Sequence, residues 1–267
     1  MLETALAAVR AGQELLVGQS SGKPVRPSSI FSKAPHDYQT DMDVLVEKRI
    51  AEVILSRFPD HGIQGEESAA ENTGSEHVWY IDPIDGTRNY IEGRPEIAIS
   101  VALYTANQPV VGVISLPFRG LVIAASRGQD GIIVNGSITK LKPTTDSLDH
   151  ALVCIQGDIR SQRDTEAFRQ VAWALVHSVE GFRITGALAY DLACVALAEV
   201  SARISLTAKP VDTAAGAFII TQGGGTVTDA RGGPWSLESR TILASSSPTI
   251  HASLLNLVSE LEILRNA

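Results

Sequence analysis

Apolar residues fall into distinct regimes along this chain. From Leu2 to Gln19, and again from Thr40 to Phe58, they recur at the spacing of an amphipathic helix, with Val46, Ile50, Val53 and Ile54 sharing one face of the second. Between residues 77 and 135 the pattern shortens to the runs "HVWYID", "EIAISVALY", "PVVGVISL", "LVIAAS" and "GIIV". Bounded by turn residues, these predict a mostly antiparallel sheet. Beyond Asp146 the two regimes alternate. "ALVCI", "ARISL" and "TILASS" read as strands, and residues 164–179, 187–200, 212–224 and 249–267 read as helices. The Pro- and Ser-rich residues 20–39 predict a loop of the kind that serves as a mobile flap over a site. The pattern therefore predicts a sheet-rich half, residues 1–145, and an alternating half, residues 146–267, sharing one site.

One stretch carries chemistry as well as pattern. In "WYIDPIDGTRNY" Pro83 cannot continue a central strand, so the strand is expected to end at Asp82. Gly86 permits close backbone approach, and Thr87 opens a short helix whose first N–H groups suit an anion. Hard oxygen donors beside an anion cradle fit Mg²⁺ and a phosphate, since Mg²⁺ prefers carboxylates, carbonyls, water and phosphate oxygens. A purely structural reading has Asp85 capping the short helix, Asp82 forming a turn, and Glu66–Glu67 of "IQGEESAA" in a solvated loop. Asp212 of "KPVDTAAG" is expected at an N-cap, a position that leaves a carboxylate free to coordinate as well.

Composition narrows the classes. The 267 residues are 44% hydrophobic with mean hydropathy +0.09, enough to bury a core and inconsistent with disorder. The first segment lacks the apolar centre of a signal peptide, and no run is long enough to span a bilayer, so a soluble cytoplasmic protein is expected without membrane attachment. A formal charge of −8 opposes general nucleic-acid affinity but leaves room for a phosphorylated substrate bridged by a cation. Cys154 and Cys194 are separated, sit in apolar runs and read as core residues. The six histidines, His36, His61, His77, His150, His177 and His251, have no ligand spacing. There is no G-x-S-x-G elbow, P-loop or EF-hand spacing, and "GGGTVTD" stands in the wrong order for a dinucleotide fingerprint.

"GEES", "WYIDPIDGTRNYIEGRPEIAISVAL" and "KPVDTAAGAFIITQGGGTVTD" occur in this order and spacing, accompanied by "DYQTDMDVLVE" and "RITGALAYDLACVALAEVSARIS". Together they resemble the inositol monophosphatase family of Mg²⁺-dependent, lithium-sensitive phosphatases, over nearly the whole chain. The resemblance implies a layered α-β-α-β-α sandwich of the inositol monophosphatase/fructose-1,6-bisphosphatase type, a homodimer, and hydrolysis of a small phosphorylated polyol or sugar by metal-activated water. It implies two or three Mg²⁺ ions: Glu66, Asp82 and the Ile84 carbonyl on one, Asp82, Asp85 and Asp212 on a second, and Glu66 at a weaker third. Asp43 and Thr87, beside Glu66, match the groups that polarise the attacking water. Asp85, Gly86, Thr87, Gly186, Ala187 and Asp212 match the substrate-binding positions, and Lys33 and Asp37 the flap.

Departures from the family pattern bear on the substrate. "ISLTAKPVD" has no acid between Ile204 and Asp212, where family members often place a Glu on a substrate hydroxyl. Val211 stands for the usual Trp, and Ala187–Leu188 for a hydroxyl residue followed by Ala. An apolar wall discriminates weakly among hydroxylated substrates. Inositol 1-phosphate is thus one candidate, and histidinol phosphate, fructose 1,6-bisphosphate and 3′-phosphoadenosine 5′-phosphate are alternatives within the fold. A non-catalytic metal-binding regulatory protein is the alternative of a different class. Arg183 and Lys209 are candidate contacts for a second anionic group.

Overall fold

Successive side chains of a strand point to opposite faces, and a strand apolar on both faces has to be covered twice. In the computed structural model, which describes residues 1–17, 26–34, 37–68, 70–157, 162–259 and 261, the elements run α1 (Leu2–Val17), β1 (Ile30–Ala34), β2 (Asp37–Thr40), α2 (Asp41–Leu55), β3 (Gly62–Gly65), β4 (His77–Asp85), α3 (Thr87–Glu92), β5 (Ala98–Thr105), β6 (Gln108–Leu116), β7 (Leu121–Ser126), β8 (Ile132–Val134) and β9 (Ser137–Thr139). They continue as β10 (Leu152–Gln156), α4 (Gln162–Val176), β11 (Gly181–Arg183), α5 (Leu188–Ala196), β12 (Ala202–Ser205), α6 (Pro210–Gln222), β13 (Thr226–Thr228), β14 (Ile242–Ser245) and α7 (Pro248–Ser259).

Strands β3 to β9 form a seven-stranded sheet in sequence order. It is antiparallel throughout except for β3, which pairs parallel to β4. The second sheet has the order β11-β10-β12-β14-β13, with β10 parallel to both β11 and β12 and β14 antiparallel to its neighbours. Alternation distributes the side chains among three cores. Trp79, Ile81, Ile99, Val101 and Val113 face α1 and α2. Tyr80, Ala102, Tyr104 and Ile114 face the opposite way, onto α5 and α6, which also meet Cys154, Ile242 and Ala244 of the second sheet. The outer face of that sheet, with Val153, Ile155, Ile204 and Leu243, packs on α4 and α7. The result is the expected five-layer α-β-α-β-α sandwich. Gly112 lets the central layer approach: a Cβ there would lie 2.9 Å from the Ala215 carbonyl oxygen of α6.

Several local expectations change. Part of the anticipated loop is a hairpin, β1–β2, in which Ile30 pairs with Thr40 and Phe31 with Gln39. Residues 20–25 and 35–36 of that flap, His36 among them, lie outside the described residues. Pro83 does not end β4. The strand passes through a bulge, with Asp82 opposite Ser100 and Asp85 opposite Ala98, so the proline sits where ladder bonding is already interrupted. Asp212 is not an N-cap: Lys209 holds that place, Pro210 opens α6, and Asp212 is in its first turn. The closing helix is described to Ser259, and its expected continuation over 262–267 lies outside the described residues.

Candidate active site

The bulge in β4 carries Asp82 and Asp85 to the edge of a cleft of about 310 Å³. Its walls include Asp37, Tyr38, Glu66, Ile84, Gly86, Thr87, Arg88, Gln156, Gly186, Leu188, Thr207, Lys209 and Asp212. Glu66, from the loop after β3, Asp82, from β4, and Asp212, from α6, each bring a carboxylate oxygen within 4.8 Å of the other two. Residues separated by up to 146 positions thus converge at one point.

Asp82 is 1% exposed. Its Oδ1 accepts the Ile84 N–H at 3.0 Å, and its Oδ2 is buried with no hydrogen-bond partner. Burial, and then the charges of Glu66, Asp85 and Asp212, hold its carboxyl well above the usual carboxylate range. Burial and Glu66 push Asp212 up to about 7, against the opposing pull of Lys209. An orphaned anionic oxygen among other carboxylates is costly unless a cation sits between them, and hard oxygen donors at this spacing fit Mg²⁺. The Lys209 ammonium lies 2.8 Å from Glu66 Oε1 at the mouth of the cleft.

Asp85 is held differently. Its Oδ1 accepts the Leu188 N–H and its Oδ2 the Tyr190 N–H, both at 2.8 Å, so it caps α5 rather than the short helix α3. It lines the same cleft but stands outside the close trio. Burial raises its pKa and these two N–H groups oppose the rise. The N-cap of α3 is Gly86, at φ +87°, where a Cβ would lie 2.9 Å from both Ala187 Cβ and the Glu96 carbonyl oxygen. Ala187 is fully buried against this glycine.

Asp43 and Thr87 meet. Thr87 Oγ1 lies 3.0 Å from Asp43 Oδ1 and 3.2 Å from the Ile84 carbonyl oxygen. Asp43 Oδ2 accepts the Thr40 N–H at 2.8 Å and the Thr40 hydroxyl, which closes a capping box at the start of α2. Burial raises the Asp43 pKa while Thr40 and Thr87 pull it back. Lys33 of the hairpin pairs with Glu67, which also accepts the Gln39 amide at 2.6 Å. Glu67 is therefore not in a solvated loop, its side chain being 2% exposed.

Arg183 stands outside the cleft lining, and the described histidines take no part in it. His61 accepts the Trp79 indole N–H at 2.9 Å, and His251 pairs with Thr228. Both cysteines are buried free thiols. Sequence reasoning missed Gln156, which Arg203 holds at 2.7 Å, and Glu47, which lies behind the Glu66 loop. Only the placement of Glu47 four residues after Asp43, on one helical face, gave a signal.

The family model described as "Inositol monophosphatase family" matches residues 1–262. The chain belongs to that family. It is 39% identical to "Fructose-1,6-bisphosphatase/inositol-1-monophosphatase" of Aquifex aeolicus (strain VF5), over 85% of this chain and 84% of the relative. It is 31% identical to "Nus factor SuhB" of Escherichia coli (strain K12), over 98% and 97% of the two chains. Among solved structures, the Thermotoga maritima IMPase superposes with a TM-score of 0.86 at 26% identity, covering 99% of this chain and 98% of the other. The inositol monophosphatase from Anabaena (Nostoc) sp. PCC 7120 gives 0.83 at 28% identity, covering 100% and 98%. The protein is accordingly a phosphoric monoester hydrolase acting on a small phosphorylated substrate, which sets aside the non-catalytic alternative. The family generally uses Mg²⁺, and the acidic trio is a cluster that could bind a metal. No helix among the described residues is long and apolar enough to cross a membrane.

Proposed function

We propose that the protein is a Mg²⁺-dependent phosphomonoesterase for a small phosphorylated polyol or sugar, inositol 1-phosphate among them. The observation that carries this reading is the partnerless Asp82 Oδ2, buried beside the Glu66 and Asp212 carboxylates. Glu66, Asp82, the Ile84 carbonyl, Asp85 and Asp212 would hold two or three Mg²⁺ ions. Bound Mg²⁺ would neutralise these carboxylates, acidify a water and stabilise charge developing on the phosphate oxygens. The two halves, 1–145 and 146–267, act in this reading as one unit, since the central core draws on both.

The chain's own groups supply the proton path. Asp43 is fixed by Thr40 through one oxygen and faces Thr87 through the other. When Thr87 donates to Asp43 Oδ1, the lone pairs of its hydroxyl are free to accept a proton from water on the cleft side. Burial makes Asp43 more basic than an ordinary carboxylate, in the direction a general base requires. Gly86 and Thr87, with Gly186 and Asp212, line the region proposed for the phosphate and its alcohol, whereas Ala187 is buried behind Gly86 and outside the lining, packed where a Cβ at position 86 would fall.

A bisphosphorylated sugar is the second reading, favoured by Lys209 and Arg88 on the cleft wall. Phosphate release from inositol 1-phosphate, fructose 1,6-bisphosphate, histidinol phosphate and 3′-phosphoadenosine 5′-phosphate, with Mg²⁺ and with chelator, tests both. Turnover of a polyol or sugar phosphate that chelator abolishes is expected, and turnover that survives complete metal removal refutes the reading. By resemblance the reading extends to a lithium-inhibited cytoplasmic homodimer, the assembly being open to analytical ultracentrifugation.

A further inference from the structure

Glu47 lies one helical turn beyond Asp43 on α2, between core residues Val46 and Ile50, and is 3% exposed. A carboxylate buried to that extent needs compensation. It comes from the backbone of another segment: Oε2 accepts the Glu67 N–H and Oε1 the Ser68 N–H, each at 2.9 Å. These two donors directly follow Glu66. On the other side of Glu66, a Cβ at Gly65 would fall 2.3 Å from the Glu47 carboxyl carbon, so the loop can close over Glu47 only where position 65 has no side chain. The Glu66 N–H donates to the Ile81 carbonyl at 3.1 Å, tying the same backbone to the strand that carries Asp82.

We propose that Glu47 is a positioning residue for the metal site, setting Glu66 against Asp82 and Asp212 through the main chain of residues 65–68. This rests on the reading of Glu66 as a metal ligand. Glu47 does not line the cleft. One face of α2 thus serves the site twice, with Asp43 reaching Thr87 and Glu47 gripping the loop one turn further on. Groups that orient metal ligands from behind typically change metal affinity by about 10–100-fold when altered.

The test is Glu47→Gln, which sets an amide N–H₂ against one of the two loop N–H donors. Isothermal titration with Mg²⁺ alone is expected to show affinity weakened about tenfold, with kcat at saturating Mg²⁺ within about twofold of the wild type. In a Glu66→Gln background the same substitution is expected to add no further loss. Unchanged Mg²⁺ affinity in Glu47→Gln overturns the proposal, as does an equal loss in both backgrounds, which marks a general structural effect. If Glu66→Gln itself leaves Mg²⁺ binding intact, it is the ligand assignment that fails. Should circular dichroism show Glu47→Gln unfolded, Gly65→Ala carries the test, since its methyl must push the loop from Glu47, and wild-type Mg²⁺ affinity in that variant overturns the proposal equally.

Discussion

Asp82→Asn separates two consequences of the same carboxylate. In the metal-free protein the Asp82 charge is opposed by burial and by four neighbouring acids, Glu66, Asp85, Asp212 and Asp43, and its Oδ2 has no partner. Asparagine keeps an oxygen for the Ile84 N–H, now 3.0 Å from Oδ1, and removes the charge. The metal-free variant is therefore expected to be at least as stable as the wild type. With Mg²⁺ at a hundred times its dissociation constant, wild-type stabilisation is about 2.7 kcal/mol per independent site. Unfolding entropy is roughly 2.1 cal/mol/K per residue, or about 0.56 kcal/mol/K for 267 residues. The wild-type Tm should then rise by about 5 °C for each independent site that Mg²⁺ fills, and that of Asp82→Asn by about 1 °C or less. Scanning calorimetry with chelator and with saturating Mg²⁺ measures both. A variant that keeps the full Mg²⁺ increment, or one several degrees less stable without metal, refutes the reasoning: the first places the ion elsewhere, the second shows the charge compensated by something other than a cation.

The pH dependence follows from Asp212, whose folded pKa of about 7 lies above its ordinary value of 3.8. The folded metal-free protein holds this proton more tightly than the unfolded chain, so the associated stability is present in acid and lost as pH rises through about 7. Between about pH 5 and pH 7.5 the metal-free Tm should fall while Mg²⁺ affinity rises, because the cation displaces the proton; pH-resolved calorimetry and titration would show flat profiles if the cluster were not protonated. Arg203→Met leaves Asp191, fully buried and 2.5 Å from the guanidinium, without its countercharge. The expected loss is about 3–5 kcal/mol, read by denaturant unfolding, with partial recovery when Asp191→Leu is added.

Periodicity and motif together disclosed a large part of the molecule. The apolar spacing of Val46, Ile50 and Ile54 marked α2, and the runs between residues 77 and 135 marked the antiparallel sheet, because each spans enough residues for its period to register. Strands β3, β9, β11 and β13 have three or four residues with a single apolar side chain each, so neither an alternation nor an apolar run marked them. Glu66, Asp82, Asp85 and Asp212 were legible as candidate ligands, since their residue types and the Pro83–Gly86 context are local properties. Their division of labour was not. Asp85 could be read as a cap for the adjacent short helix, whereas its partners are the N–H groups of Leu188 and Tyr190, more than a hundred residues onward.

What the amino-acid order determined alone is which segments are helix or strand, which faces are apolar, and which side chains can offer hard oxygen donors or an unhindered main chain. These depend on interactions within a few residues. The convergence of three carboxylates within 4.8 Å, the grip of Glu47 on the Glu66 loop and the burial of Arg203 beside Asp191 were decided by the packing of two sheets about α5 and α6. Close packing brings such groups together across the chain, and the low-dielectric interior then makes their charges strong enough to require a partner.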